Sequence, residues 1–267
     1  MDSKKFGYEN GLGITVVKRG SKKTLKPVTK HGTHNQKTHG GKGGGGGEAS
    51  VDAMRAVSDE SFREASDVDS GDMKEIRAAY KEQYAEDTAE NTSAESEVED
   101  YATSGYQGIN AVARGQQKSD VFMEDKISVL DRAIEESPDA FGDKNLYRVT
   151  EDRLIADLEP GDVFTDEGFM STTRTNVTEN ATLRNALGEI GSGNDTVTVI
   201  LPSPSKSGKG LAVDTFLTAR GRDGTGEFWG KESEVLLPRG TRLLFLGMST
   251  STDHQGKPIA IFQRMDE

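Results

Sequence analysis

The hydrophobic period of this chain changes once, near Pro138, and that change constrains the fold more than any other feature. Upstream, DVFMEDKISVLDRAIEES places Ile127, Leu130 and Ile134 on one stripe at helical spacing, and EDYATSGYQGINAVARG is helical apart from a break near Ser104-Gly105. Pro138 closes the helical part. Downstream, LYRVT, DVFTDEGFMSTT, TVTVILP, GLAVDTFL, SEVLLP, TRLLFLGMS and PIAIFQ are short runs rich in Val, Ile, Leu, Phe and Thr, separated by Gly, Asp, Asn and Pro. One helix-compatible insert, NVTENATLRNALGE, interrupts them. Helices first and strands afterwards predict an α+β fold whose sheets are mainly antiparallel. The stretch 95–267 is long enough to bury a core of its own.

The preceding residues read differently. Residues 1–47 carry ten Lys/Arg against two Asp/Glu, and 48–100 carry five against seventeen, so the net charge of −12 conceals a basic arm followed by an acidic stretch. With 31 glycines and only 33% hydrophobic residues in the chain, a poorly ordered part beside one globular domain is expected. The boundaries predicted are a basic, Gly-rich, disordered arm and linker over 1–50, containing one strand-like run within 6–19, an acidic, weakly helical and lightly anchored connector over 51–94, and the globular domain over 95–267. The glycine run near residue 45 lacks the Lys-Ser/Thr ending of a phosphate-cradling loop and reads as a linker. His31, His34 and His39 have no Cys and no acidic ligand nearby, so a solvated arm is expected there and no metal site. Such an arm keeps a chain soluble, and it can also contact nucleic acid through phosphates. The string KHGTHNQKTHGG resembles an arm found in structural and head-associated proteins of tailed phages of actinobacteria. There are no cysteines, which excludes disulfide and thiolate chemistry. The first twenty residues lack the apolar region of a signal peptide, and no later run has the length of a membrane-spanning helix, so no membrane partner is expected.

Three short motifs stand in order among the strand-like runs: Leu146-Tyr147-Arg148, then Gly168-Phe169-Met170-Ser171-Thr172-Thr173, then Glu232-Ser233-Glu234 leading into Val235-Leu236-Leu237. Each alone is a commonplace of a polar strand. Ser171 and Thr173 alternate about Thr172, so on a strand they share a face, and Glu232 and Glu234 do the same in an extended segment.

In this order and spacing the three motifs resemble the Arg, Ser-Thr-Ser and Glu-x-Glu signature of ADP-ribosylating exoenzyme toxins, the branch similar to binary actin-modifying toxins. The resemblance covers about 95–267 and extends upstream, where Tyr101, Tyr106 and Asn110 recur at the spacing that family uses on its NAD-facing helices. It implies a helical lobe followed by two packed, mainly antiparallel sheets around an NAD cleft, with NAD as co-substrate and no metal. It also implies roles. Arg148 would clamp the pyrophosphate, which its bidentate fork suits. Ser171, Thr172 and Thr173 would line the ribose pocket and hold a carboxylate in one rotamer, although Thr173 stands where the family commonly has Ser. Glu234 would stabilise the oxocarbenium-like ribose as nicotinamide leaves. Glu232 would take the proton of the acceptor; because the related branch that modifies other residues has Gln at the first position, Glu there implies arginine as acceptor.

Phe228 and Trp229 fall in the place of the loop that meets the protein substrate, where an exposed aromatic anchor and a buried prop for the turn are both open readings. Arg184 is expected as the second phosphate contact, with Arg174 behind it. SKSGKG at 205–210 reads as a turn. The reaction implied is mono-ADP-ribosylation of an arginine on a host or bacterial protein. Alternatives are hydrolysis of NAD on the same site, or a non-enzymatic phage module contacting head proteins. The arm suggests location in a phage virion or in the cytoplasm of the bacterial host.

Overall fold

A computed structural model of the chain describes residues 3–5, 14–17, 66–178, 180, 195–222 and 233–266. The helical lobe comprises α1 (Ser70–Gln83), α2 (Ala89–Asp100), a π-helical turn (Tyr101–Gly105), α3 (Tyr106–Ala113) and α4 (Val121–Glu135). Each of α1, α2 and α4 starts at a side-chain cap: Asp69 with Asp72 in a reciprocal capping box, Thr88, and Asp120. The stripe Ile127, Leu130 and Ile134 is buried as its spacing predicts.

The strands β1 (Ser3–Lys5), β2 (Ile14–Val17), β3 (Leu146–Glu151), β4 (Val163–Asp166), β5 (Met170–Thr173), β6 (Asp195–Leu201), β7 (Leu211–Ala212), β8 (Glu234–Leu237), β9 (Thr241–Thr252) and β10 (Pro258–Arg264) join in one ladder, in the order β1-β2-β4-β9-β10-β6-β3-β5-β8-β7. Two short helices, α5 (Asp152–Ile155) and α6 (Val213–Ala219), follow β3 and β7. The fold is α+β, and all pairings are antiparallel except that of β10 with β6. The two expected sheets are continuous through a single residue pair, Tyr147 with Thr173, between β3 and β5. One apolar core spans the helices and the sheet face carrying Leu146, Met170, Leu237 and Phe262, while Tyr147, Val197, Val199 and Ile261 form a second cluster on the other face.

Three expectations differ from what is observed. GLAVDTFL is a two-residue strand followed by α6, because Val213, Phe216 and Leu217 recur at helical spacing and all three are buried. Short apolar runs are ambiguous between the two periods. The acidic connector is not lightly anchored from residue 70 on: Ile76, Tyr80 and Tyr84 enter the main core, and the rings of Tyr80 and Tyr84 meet Phe216 edge-on at 5.6 and 4.9 Å. Charged residues of both signs, Lys74, Glu75, Arg77, Lys81 and Glu82, cover the exposed side of α1, which hides its apolar stripe from a composition reading. Within the arm, β1 and β2 form an antiparallel pair that extends the sheet along β4. The rest of the arm, including its histidines and glycine run, lies outside the described residues, as does most of the NVTENATLRNALGE insert.

Candidate active site

The three strands that carry the sequence motifs converge at one point. Tyr147 of β3 pairs with Thr173 of β5, and Thr173 pairs with Glu234 of β8. Beyond that pair β3 and β5 part, and a cleft opens between them. One cavity of about 230 Å³ is lined by Arg148, Ser171, Thr173 and Glu234, and an adjoining one of about 160 Å³ by Arg148, Arg114 and Asp166.

Glu234 is only 5% exposed and accepts a hydrogen bond from the Ser171 side chain. Directly opposed residues of antiparallel strands share a face, so Ser171, Thr173 and Glu234 stand on one side of the sheet. Burial pushes the Glu234 carboxyl up to about 7; the Ser171 bond opposes this, the Asp214 charge adds to it, and the Arg148 charge opposes it. Arg148 is half-buried, and its Nη1 donates to the Ser171 carbonyl at 3.3 Å. Desolvation lowers its pKa, with Asp166 and Glu234 acting against the shift. A cation and a carboxylate thus face the cleft from β3 and β8, the strands on either side of β5.

Thr172 and Thr173 do not present free hydroxyls to the cleft. Both are buried; Thr172 Oγ1 donates to the Val235 carbonyl at 2.6 Å, fastening β5 to β8, and Thr173 Oγ1 donates to the Ser233 carbonyl at 3.4 Å and accepts from Thr175 N. Ser233 itself has φ of 54°, a left-handed conformation unusual for a residue with a side chain. β8 begins only at Glu234, and Ser233 before it is in a turn. Glu232 lies outside the described residues, together with Arg184, Phe228 and Trp229. Arg174 is occupied elsewhere, in a bidentate pair with Asp214 of α6 at 2.8 and 2.6 Å. An arginine held that way has its fork filled and is not available to a phosphate.

On the helical side, the π-turn aims Tyr101 inward, where its ring meets Phe169 at 5.8 Å and Tyr106 at 6.5 Å. Burial, with the Glu234 charge adding to it, raises the Tyr101 pKa far above that of a free phenol. Asn110 is buried and braced: its Nδ2 donates to the Tyr101 hydroxyl at 2.9 Å and its Oδ1 accepts from Phe169 N at 2.8 Å. It joins α3 to the GFMSTT strand. Tyr106 stays exposed.

Arg114, not singled out from the sequence, forms a bidentate pair with the buried Asp166 at 2.8 and 2.9 Å. Burial opposes its charge, but Asp166 outweighs that and raises its pKa. Asp166 also accepts from Gly168 N at 2.9 Å. A Cβ on Gly168 would lie 2.8 Å from both Arg114 Nε and Asn110 Oδ1, so glycine is required for this close approach. The available sequence signal was periodic: Arg114 lies one helical step beyond Tyr106 and Asn110. Among the described residues no group of His, Cys, Asp and Glu is disposed to hold a metal, and no helix is long and apolar enough to cross a membrane.

Proteins of this fold are known. Residues 77–261 match the sequence model of the ADP-ribosyltransferase exoenzyme family, more than half of the chain. Among solved structures, C3stau2 from S. aureus with NAD aligns at a TM-score of 0.53 and 15% identity, covering 76% of this chain and 98% of that one. The Vis toxin, an ADP-ribosyltransferase from Vibrio splendidus, aligns at 0.47 and 16% identity, covering 76% and 89%. The C3 exoenzyme of Clostridium limosum aligns at 0.48 and 16% identity, covering 80% and 94%. No curated protein sequence matches the chain. The fold is that of C3stau2, and the chain belongs to the ADP-ribosyltransferase exoenzyme family.

Proposed function

We propose that this protein transfers ADP-ribose from NAD to an arginine side chain of a protein acceptor and releases nicotinamide. The observation that carries the reading is the buried Glu234 carboxylate, hydrogen-bonded by Ser171 and facing Arg148 across a cleft. Departure of nicotinamide leaves positive charge on the ribose, and a fixed carboxylate in a water-poor site stabilises that charge as it develops. Arg148 supplies a cation for the pyrophosphate, and Arg114, its fork filled by Asp166, braces the wall of the same cleft. Tyr106 is exposed on the helical wall, and the buried Tyr101 backs it. Asn110, Thr172 and Thr173 act as braces for the walls.

Arginine as acceptor rests on Glu232. A guanidinium is a poor nucleophile until a base takes its proton as attack proceeds. Arg184 as a phosphate contact, and Phe228 and Trp229 as the acceptor-facing pair, are proposed on sequence alone. The solved relative C3stau2 is described with NAD and the Vis toxin with agmatine, a guanidino compound, which supports the choice of test ligands.

The test is incubation with NAD and a simple guanidino compound, followed by mass spectrometry of nicotinamide and adduct, beside Glu232→Gln and Glu234→Gln. An adduct lost in both variants supports the proposal. Nicotinamide release without adduct, abolished by Glu234→Gln alone, replaces it with NAD hydrolysis or a stricter acceptor; no turnover at all removes the enzymatic reading. The arm's resemblance to phage head proteins supports a location in the virion or the infected host, and failure to find the chain in purified particles would dismiss the virion.

A further inference from the structure

A second polar cavity, of about 550 Å³, lies at the far end of β8 from Glu234, beneath the loop that joins β6 to β7. It shares no lining residue with the cleft cavities. Its floor is Arg264 of β10, a residue 5% exposed whose Nη2 donates to the Phe141 carbonyl, while Nε and Nη1 have no partner among the described residues. Leaving two donors of a buried cation unmade is costly, and native structures do so only where something else supplies the acceptors. Burial lowers the Arg264 pKa to about 10, with Asp139 and Asp143 acting against it, so the group remains charged at neutral pH.

The loop above packs closely on that guanidinium without pairing it. Gly208 has φ of 146°, and a Cβ there would lie 2.9 Å from Arg264 Nη1. The carboxylates at hand are already engaged by the loop: Asp139 accepts from Gly208 N at 3.2 Å, and Asp266 accepts from Ser205 N at 3.2 Å. Arg242 lines the same cavity from β9, and Lys209 reaches it while holding the Ser137 carbonyl at 2.9 Å. Glu135 stands on the exposed rim.

We propose that this pocket binds a phosphate-type oxyanion, free or as the terminal group of a small molecule, over the buried, incompletely paired Arg264 guanidinium, with Arg242 and Lys209 as flanking cations. Three cations around one polar cavity suit a dianion better than a single carboxylate. The SKSGKG segment is then the roof of a binding site rather than a plain turn.

Calorimetric titration of the full chain with inorganic phosphate, ribose 5-phosphate and acetate in chloride buffer tests this. One saturable phosphate site is expected. It should be lost in Arg264→Met, weakened roughly tenfold in Arg242→Ala and weakened by Gly208→Ala, yet retained in Arg148→Ala. If Arg264→Met does not fold, the Arg242 and Gly208 variants carry the test. Tighter binding of ribose 5-phosphate assigns the site to a phosphorylated small molecule, and equal binding assigns it to free phosphate. Acetate binding as tightly as phosphate, phosphate failing to bind, or phosphate lost in Arg148→Ala while unchanged in Arg242→Ala and Gly208→Ala, overturns the proposal.

Discussion

Glu234 carries two pH dependences of opposite sense. Its folded carboxyl holds a proton up to about 7, whereas the unfolded one releases it near 4.5. Between those values the native state binds the extra proton, so folding stability is full below pH 4.5 and falls as pH rises to about 7, by roughly 3 kcal/mol. Glu234→Gln should abolish that slope: urea unfolding at pH 8 should find the variant at least as stable as the parent. Activity should run the other way, because only the carboxylate stabilises a cationic ribose. The kcat/KM for NAD should rise with pH through about 7 and then level off; a profile flat from pH 5 to 9 would remove Glu234 from that role. Ser233, left-handed between the two motif glutamates, argues similarly for a built turn. Ser233→Gly should leave stability within about 1 kcal/mol, while Ser233→Val should cost about 2 kcal/mol or more in the same unfolding assay, since a β-branched side chain tolerates that conformation poorly. That Arg148, Ser171 and Glu234 come together at one cleft was legible in the sequence because motif order and strand spacing survive in a linear string. The left-handed turn was not, since serine carries no signal for positive φ.

At the scale of elements, what holds the cleft is the bracket between helix and strand. Asn110 joins the Tyr101 hydroxyl to Phe169 N, and Asp166 joins Arg114 to Gly168 N. Asn110→Ala strands a buried backbone donor and should cost roughly 2 kcal/mol. It should also raise KM for NAD more than it lowers kcat, because it loosens the wall without touching the reacting carbon. Steady-state kinetics with NAD as varied substrate would separate this from a direct role: a fall in kcat at unchanged KM would place Asn110 at the chemistry instead. Most strands were readable from period-2 runs. The exception, GLAVDTFL, is instructive because five of the seven residues after its glycine are apolar and fit either period, and only the packing of Phe216 against Tyr80 and Tyr84 decides for a helix. That contact joins residues more than 130 positions apart, information that a local reading does not hold.

For the whole molecule, the question is where the folded unit begins. A boundary at 95 follows composition, because 48–100 is strongly acidic, but composition averages over a helix whose two sides differ. Helix α1 buries Ile76 and Tyr80 and is followed by the buried Tyr84, and the Tyr80 hydroxyl accepts from Ala212 N at 3.1 Å and donates to Ser137 at 3.2 Å. Arg220 of the segment after α6 reaches back to the Tyr84 carbonyl at 2.6 Å and to Glu95 at 3.1 Å. Each large buried side chain contributes about 1.5–3 kcal/mol, so removal of the three aromatic and aliphatic anchors forfeits on the order of 5–9 kcal/mol, comparable with the whole stability of a domain this size. Further upstream, Asp67 bonds the Tyr147 hydroxyl and the Ser66 carbonyl accepts from Asn145 N at 2.9 Å, so even these residues fasten the start of β3. A chain of residues 66–267 should therefore melt cooperatively, within a few degrees of the full chain because β1 and β2 add only an edge pair to the sheet. A chain of 95–267 should show no cooperative transition by circular dichroism. Cooperative melting of the shorter chain at the temperature of the longer one would return α1 to the status of a tether.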